Sequence, residues 1–121
     1  MKDEGELEDL RSRTKRFALA AIQLSIKLTR TDEISVMRRQ LIRSSTSAAA
    51  HYREASRARS DAEFISKLEG ALQELDESAL WLELLIESSL CDWPKVREML
   101  NETSELISIF VAIVRRRKRE V

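Results

Sequence analysis

The chain has 121 residues, 35% of them charged, and its 21 basic and 21 acidic side chains cancel to a net charge of zero. That length suits a single domain spanning 1–121 with one core, and is too short for two. Two glycines and one proline leave too few turns for an all-β fold, and a lone cysteine, Cys91, excludes an internal disulfide.

The start, Met1-Lys2-Asp3-Glu4, is acidic with no apolar run behind it, unlike a signal peptide. The longest uncharged run, Phe17 to Ile26, is about half of what a bilayer crossing needs. A soluble, cytoplasmic protein without a membrane partner is expected. The zero net charge hides a segregated map: residues 3–9 hold five acids, and residues 61–92 hold nine acids against one lysine. Residues 38–59 hold six arginines against Glu54, and Arg115-Arg116-Arg117-Lys118-Arg119 lies at the C-terminal end.

The first helix is predicted over 7–29. Leu7, Leu10, Thr14, Phe17, Ala21, Leu24 and Leu28 alternate spacings of three and four, with Ile22 and Ile26 widening the stripe. Thr31 or Asp32 can cap a second helix over about 33–57, which the short connection turns antiparallel. Its core positions are Ile34, Met37, Leu41, Ser45, Ala48, Tyr52 and Ala55. Within it, Ser44-Ser45-Thr46-Ser47-Ala48-Ala49-Ala50 is a small-residue run that lets a neighbouring helix come close. On the opposite face, at about 100° per residue, Arg39, Arg43, Arg53 and Arg57 line up, with Thr46 and Ala50 between the two pairs.

Ser60-Asp61-Ala62-Glu63 is a capping-box pattern opening a third helix over 61–90. Its stripe is Phe64, Leu68, Ala71, Leu75, Ala79, Leu82 and Ile86. From Ala79 to Ile86 only Glu83 is polar, so Leu80, Trp81 and Leu84 extend apolar surface beyond the intramolecular core, toward a second subunit. Asp92 is a suitable N-cap before Trp93-Pro94, opening a fourth helix over 93–118 with Val96, Leu100, Thr103, Ile107, Phe110, Val111 and Val114 inward. The expected fold is all-α, an antiparallel up-down-up-down four-helix bundle.

Little here supports catalysis. His51 has no cysteine or second histidine at ligand spacing, and its one carboxylate neighbour, Glu54, suits a structural or interface histidine better than a proton shuttle. No Glu-x-x-His pair recurs on two helices, and no phosphate-binding glycine loop is present. Cys91 reads as a solvent-adjacent loop thiol. No enzymatic activity, no cofactor and no metal are expected. The arginines of the second helix suit phosphates through their two-pronged donor geometry. They can equally pair with the acids of the third helix, within or between subunits, and the two readings stand side by side. The basic segment 115–119 complements a helix C-terminus or forms an electrostatic arm for RNA or DNA.

Several blocks are similar to a family of small bacterial four-helix-bundle proteins first noticed within intervening sequences of large-subunit ribosomal RNA genes. They are Gln40, Arg43, Ser47, Glu54 and Ser60-Asp61-Ala62-Glu63-Phe64-Ile65, together with Tyr52-Arg53-Glu54-Ala55 and Trp81-Leu82-Glu83-Leu84-Leu85. The match runs from about 40 to 86; the outer helices match only in length and patterning. The resemblance implies an antiparallel bundle that often forms a homopentameric ring. It also implies kinship with nucleic-acid-associated accessory proteins, one of which partners a reverse transcriptase in diversity-generating retroelements. His51 stands where that family usually has asparagine, and Ala49 and Ala55 stand where many members have proline and glycine.

Together these readings predict a homo-oligomer, pentameric by resemblance, with Tyr52, Leu80, Trp81 and Leu84 at subunit contacts. Its partners would be RNA or DNA, held by Arg39, Arg43, Arg53, Arg57 and the 115–119 segment, or alternatively another protein on a non-catalytic scaffold.

Overall fold

The computed structural model describes residues 2–121, with side chains from residue 9 onward. Four helices account for nearly all of it: α1 (Lys2–Lys27), α2 (Asp32–Ser56), α3 (Asp61–Glu87) and α4 (Pro94–Glu120). Among the described residues there is no strand. Each helix packs on its neighbours in sequence and α4 closes back on α1, while the diagonal pair α2 and α4 meets through side chains, Tyr52 on Phe110. This is the expected up-down-up-down bundle. The α2–α3 interface is the most extensive, and the α1–α4 seam is the thinnest.

Local chemistry sets the helix ends. Thr31 caps α2, its hydroxyl accepting from the Ile34 N–H at 3.2 Å. Ser60 caps α3 by accepting from the Glu63 N–H at 3.1 Å, while the Glu63 carboxylate accepts from the Arg59 N–H at 3.3 Å. That is a capping box whose return bond lands one residue earlier than the pattern predicts. Arg38 on α2 reaches back to the C-terminal end of α1. It donates to the carbonyls of Ser25 (3.0 Å), Leu28 (2.9 Å) and Thr29 (3.2 Å); those of Ser25 and Thr29 also accept from the Leu28 and Thr31 N–H groups, whereas among the described residues the Leu28 carbonyl depends on Arg38.

Two ends differ from expectation. Helix α3 stops at Glu87, because Ser89 takes the left-handed conformation (φ 63°) and the Cys91 N–H turns back to the Leu85 carbonyl at 3.0 Å. That bond draws Cys91 inward, so the thiol is buried rather than solvent-adjacent, and burial pushes its pKa up. Asp92 does not cap α4: its carboxylate is gripped by Arg97 at 2.6 and 3.0 Å, and Trp93 is the uncapped first residue before Pro94.

The core follows the predicted stripes on α1 and α2 closely. Leu10, Thr14, Phe17, Ala21, Leu24 and Leu28 are buried, as are Ile34, Met37, Leu41, Ser45, Ala48, Tyr52 and Ala55. Leu7 lies outside the described side chains. Ile22 and Ile26 do not widen the core face; they are 39% and 72% exposed. On α3 the inward face drifts after Leu75 to Ser78, Leu82 and Leu85, leaving Ala79 and Ile86 half-buried. On α4 the seam is Val96, Met99, Thr103, Leu106, Phe110, Ile113 and Val114, with Leu100, Ile107 and Val111 at its flank. Spacings of three and four let either of two adjacent stripes pass as the seam, and the neighbours decide between them.

The small-residue run has two uses. Ser44 and Ser78 are fully buried where α2 meets α3, their hydroxyl oxygens 2.7 Å apart. Ala48 is also fully buried. Thr46, Ala49 and Ala50 face outward, toward the site described next. Across the thin α1–α4 seam, Arg13 clamps Glu102 with two bonds of 2.8 and 2.7 Å and reaches Glu105 at 3.1 Å.

Candidate nucleic-acid interface

Because consecutive helices run antiparallel, the N-terminal half of α1, the C-terminal half of α2 and the start of α3 share one end of the bundle. There they enclose an open groove of about 870 Å³. Helix α1 contributes Arg11, Thr14, Lys15 and Ala18 to it, and α2 contributes Thr46, Ala49, Ala50, Arg53, Glu54 and Arg57. Arg59 in the α2–α3 turn and Glu63 and Lys67 on α3 complete the lining. Alanines and threonines make the floor, so no long side chain fills the space between the helices. Among the described lining residues, six cations face two carboxylates.

The local field of the groove is therefore positive, although the chain is neutral overall. The two carboxylates are already engaged. Glu54 takes Lys67 at 3.7 Å and the His51 Nδ1 at 3.1 Å, while Glu63 serves its capping bond. Arg53 and Arg57 form no ion pair among the described residues, and neither do Arg11 and Lys15.

The four arginines expected as one line on α2 thus separate into three situations. Arg43 lies against the acidic face of α3, within ion-pair distance of Glu74 (3.4 Å) and Glu77 (2.5 Å) and bonded to Gln40 at 3.1 Å. Burial pushes the Glu74 carboxyl up, but hydrogen bonds with Ser47 and Glu77 and the nearby Arg43 charge outweigh it and hold the group below its ordinary value. Arg39 is exposed and lies about 21 Å along α2 from Arg53 at 1.5 Å per residue, well outside the groove. Only Arg53 and Arg57 join the groove, where α1 and α3 supply partners of like charge.

The 115–119 segment is helical, forming the last turns of α4 at this same end of the bundle. It is partly spoken for. The Arg117 guanidinium sits 4.0 Å above the Phe64 ring and pairs with Asp61 at 3.1 Å, and Lys118 pairs with Glu69 at 3.1 Å. Arg116 is engaged as well, and Arg115 and Arg119 are exposed.

Of the expected subunit contacts, Leu80 and Leu84 are exposed, at 48% and 41%. Trp81 is half-buried against the core cluster, with its indole Nε1 buried and without a hydrogen-bond partner among the described residues. Tyr52 is a correction. It is fully buried in the chain's own core, its ring stacked on Phe110 at a centroid distance of 5.2 Å and 28° between planes, so it offers no surface to another subunit.

Sequence reasoning missed Arg11, Lys15, Arg59 and Lys67. Arg11 and Lys15 are four residues apart on the polar side of α1, a weak signal that acquires meaning only beside Arg53 and Arg57. Among the described residues, no cluster of three His, Cys, Asp or Glu could hold a metal, and no helix is long and apolar enough to cross a membrane.

No curated protein matches the chain. A solved structure similar to it is that of a protein of unknown function from the S23 ribosomal protein family of Bacteroides thetaiotaomicron. The two share 34% identity at a TM-score of 0.79, over 86% of this chain and 96% of the other. The model of the 23S rRNA-intervening sequence protein family matches residues 8–112. The fold, the blocks between 40 and 86 and these two matches agree: the chain belongs to the 23S rRNA-intervening sequence protein family.

Proposed function

We propose that this is a non-catalytic, self-associating accessory protein that binds nucleic acid by its phosphates, through the cationic groove between α1, α2 and the start of α3. The observation that carries this reading is the convergence of Arg11, Lys15, Arg53, Arg57, Arg59 and Lys67 on one recess floored by small residues. Unpaired guanidinium groups on both lips suit phosphate oxygens, and binding of this kind releases counterions and weakens as salt rises. A homo-oligomer, pentameric on the family resemblance, would repeat the groove and multiply a weak contact. The exposed Leu80 and Leu84 are the apolar surface for that association.

Fluorescence anisotropy of labelled RNA and DNA across a salt series tests the groove. The parent protein should bind with steep salt dependence. Arg53→Ala with Arg57→Ala should reduce the slope of log affinity against log salt by about 2. No binding even at low salt would remove the reading. For association, Leu84→Glu places a charge where the single chain tolerates it, and light scattering should report smaller particles; an unchanged mass would refute that part.

A second reading, a scaffold for another protein, draws on a different surface. Leu19, Ile22, Ile26 and Val36 are exposed apolar side chains on α1 and α2, outside the groove lining. It predicts that the groove variant leaves the protein's associations intact.

A further inference from the structure

A groove can be positively charged and still differ in which nucleic acid it accepts, and the remaining chemistry of this one is restrictive. Its two threonine hydroxyls are committed: Thr14 donates to the Leu10 carbonyl at 2.8 Å and Thr46 to the Ile42 carbonyl at 2.7 Å. Neither has a hydrogen left for a base edge or a ribose hydroxyl. Glu54 and Glu63, the carboxylate acceptors among the described lining residues, are held by His51, Lys67 and the Arg59 N–H. What remains for a ligand is positive charge.

Among the described residues, no aromatic side chain lines the groove. His51 is not in its lining and meets it through Glu54. A Cβ built on Gly70 would lie 3.5 Å from each of three ring atoms, so one face of the imidazole rests on α3. Proteins that hold single strands gain about 1–3 kcal/mol from each base stacked on an aromatic side chain. This groove offers none of that, and a flexible strand laid in it would also lose conformational freedom.

Shape points the same way. A recess receives a convex object, whereas base edges in a duplex lie at the bottom of grooves that only a projecting helix, ribbon or arm can enter. The backbone ridge of a double helix is convex. It presents a preordered row of phosphates, one charge per about 1.7 Å of axis, at no ordering cost to itself.

We infer that the groove is selective for the backbone of double-stranded nucleic acid and is indifferent to its sequence. The inference rests on the groove being the phosphate site proposed above. Arg11 and Lys15 on one lip and Arg53 and Arg57 on the other take phosphates of the backbone ridge seated between them.

The test is anisotropy of the full-length protein with two short DNA duplexes of unrelated sequence, one RNA duplex and the separate single strands, all at one low salt concentration. The duplexes should bind about tenfold tighter than their strands, because a duplex presents its phosphates preordered and closely spaced while no stacking in the groove compensates a strand for the freedom it loses. The two DNA sequences should agree within about twofold, since phosphate contacts carry no base information. Single strands binding as tightly as duplexes, or a tenfold preference between the two sequences, would overturn the inference. If such binding still disappears in the Arg53→Ala, Arg57→Ala variant, whose helicity is checked by circular dichroism, the groove reading survives and only duplex selectivity fails. Binding that this variant leaves untouched, or no binding by any probe, overturns both.

Discussion

Tyr52→Ala isolates the difference between a core residue and a subunit contact. The side chain has no exposed surface, and its ring stacks on Phe110 at 5.2 Å across the centre of the bundle. Truncating an aromatic side chain in such a site costs about 3–5 kcal/mol, from lost transfer energy and the cavity left behind. About 0.5–1.5 kcal/mol of that belongs to the ring pair. Unfolding entropy near 60 °C is about 2 cal/mol/K per residue, so in a chain of 121 residues each kcal/mol corresponds to about 4 °C. A drop in Tm of about 12–20 °C follows. The assay is urea and thermal unfolding followed by circular dichroism, for parent and variant, at two protein concentrations. Because the contact lies within one chain, the difference between parent and variant should be the same at both. A loss below about 1 kcal/mol, or a difference that vanishes when subunits are diluted apart, would refute the assignment of Tyr52 to the core.

Three further outcomes are expected. Gly70→Ala should stabilise the protein by about 0.5–1 kcal/mol, because α3 gains a better helix former and the new methyl meets His51 at an ordinary 3.5 Å; a lower midpoint in urea would show the ring cannot accommodate it. Arg38→Ala should cost about 1–2 kcal/mol and speed amide exchange near the end of α1, since the Leu28 carbonyl there loses its donor and those of Ser25 and Thr29 lose one of two. Unchanged exchange would mean that solvent replaces the guanidinium without penalty. The third is acid titration of stability. Glu74 sits below its ordinary pKa of 4.5 in the folded chain, so its contribution is fully present above that pH and is lost as pH falls through the folded value. Glu74→Gln should therefore flatten the stability profile below about pH 4.5, and an unaltered profile would remove Glu74 from the acid response.

The apolar periodicity along the chain was enough to place four helices within a few residues of where they lie, since seams at spacings of three and four can be buried only by antiparallel neighbours joined by short turns. Caps at Thr31 and Ser60 were equally readable, because a hydroxyl and the N–H it accepts from are close in sequence. Asp92 misled for the opposite reason: a stronger partner, Arg97, stood within reach of the same carboxylate. Tyr52 was misjudged because an aromatic residue with a hydroxyl is compatible with either a core or an interface, and only Phe110 on the facing helix decides.

What the sequence by itself determined is the set of amphipathic helices, their order, and an arginine-rich face on α2, all of which depend on spacings within a single helix. Only the tertiary structure decided which of those arginines act together. Arg43 found Glu74 and Glu77 on α3, while Arg53 and Arg57 met Arg11 and Lys15 on α1 and Arg59 and Lys67 beyond the turn. The physical reason is that a local field sums charges by distance in space, and the residues forming the groove are up to 56 positions apart along the chain, from Arg11 to Lys67.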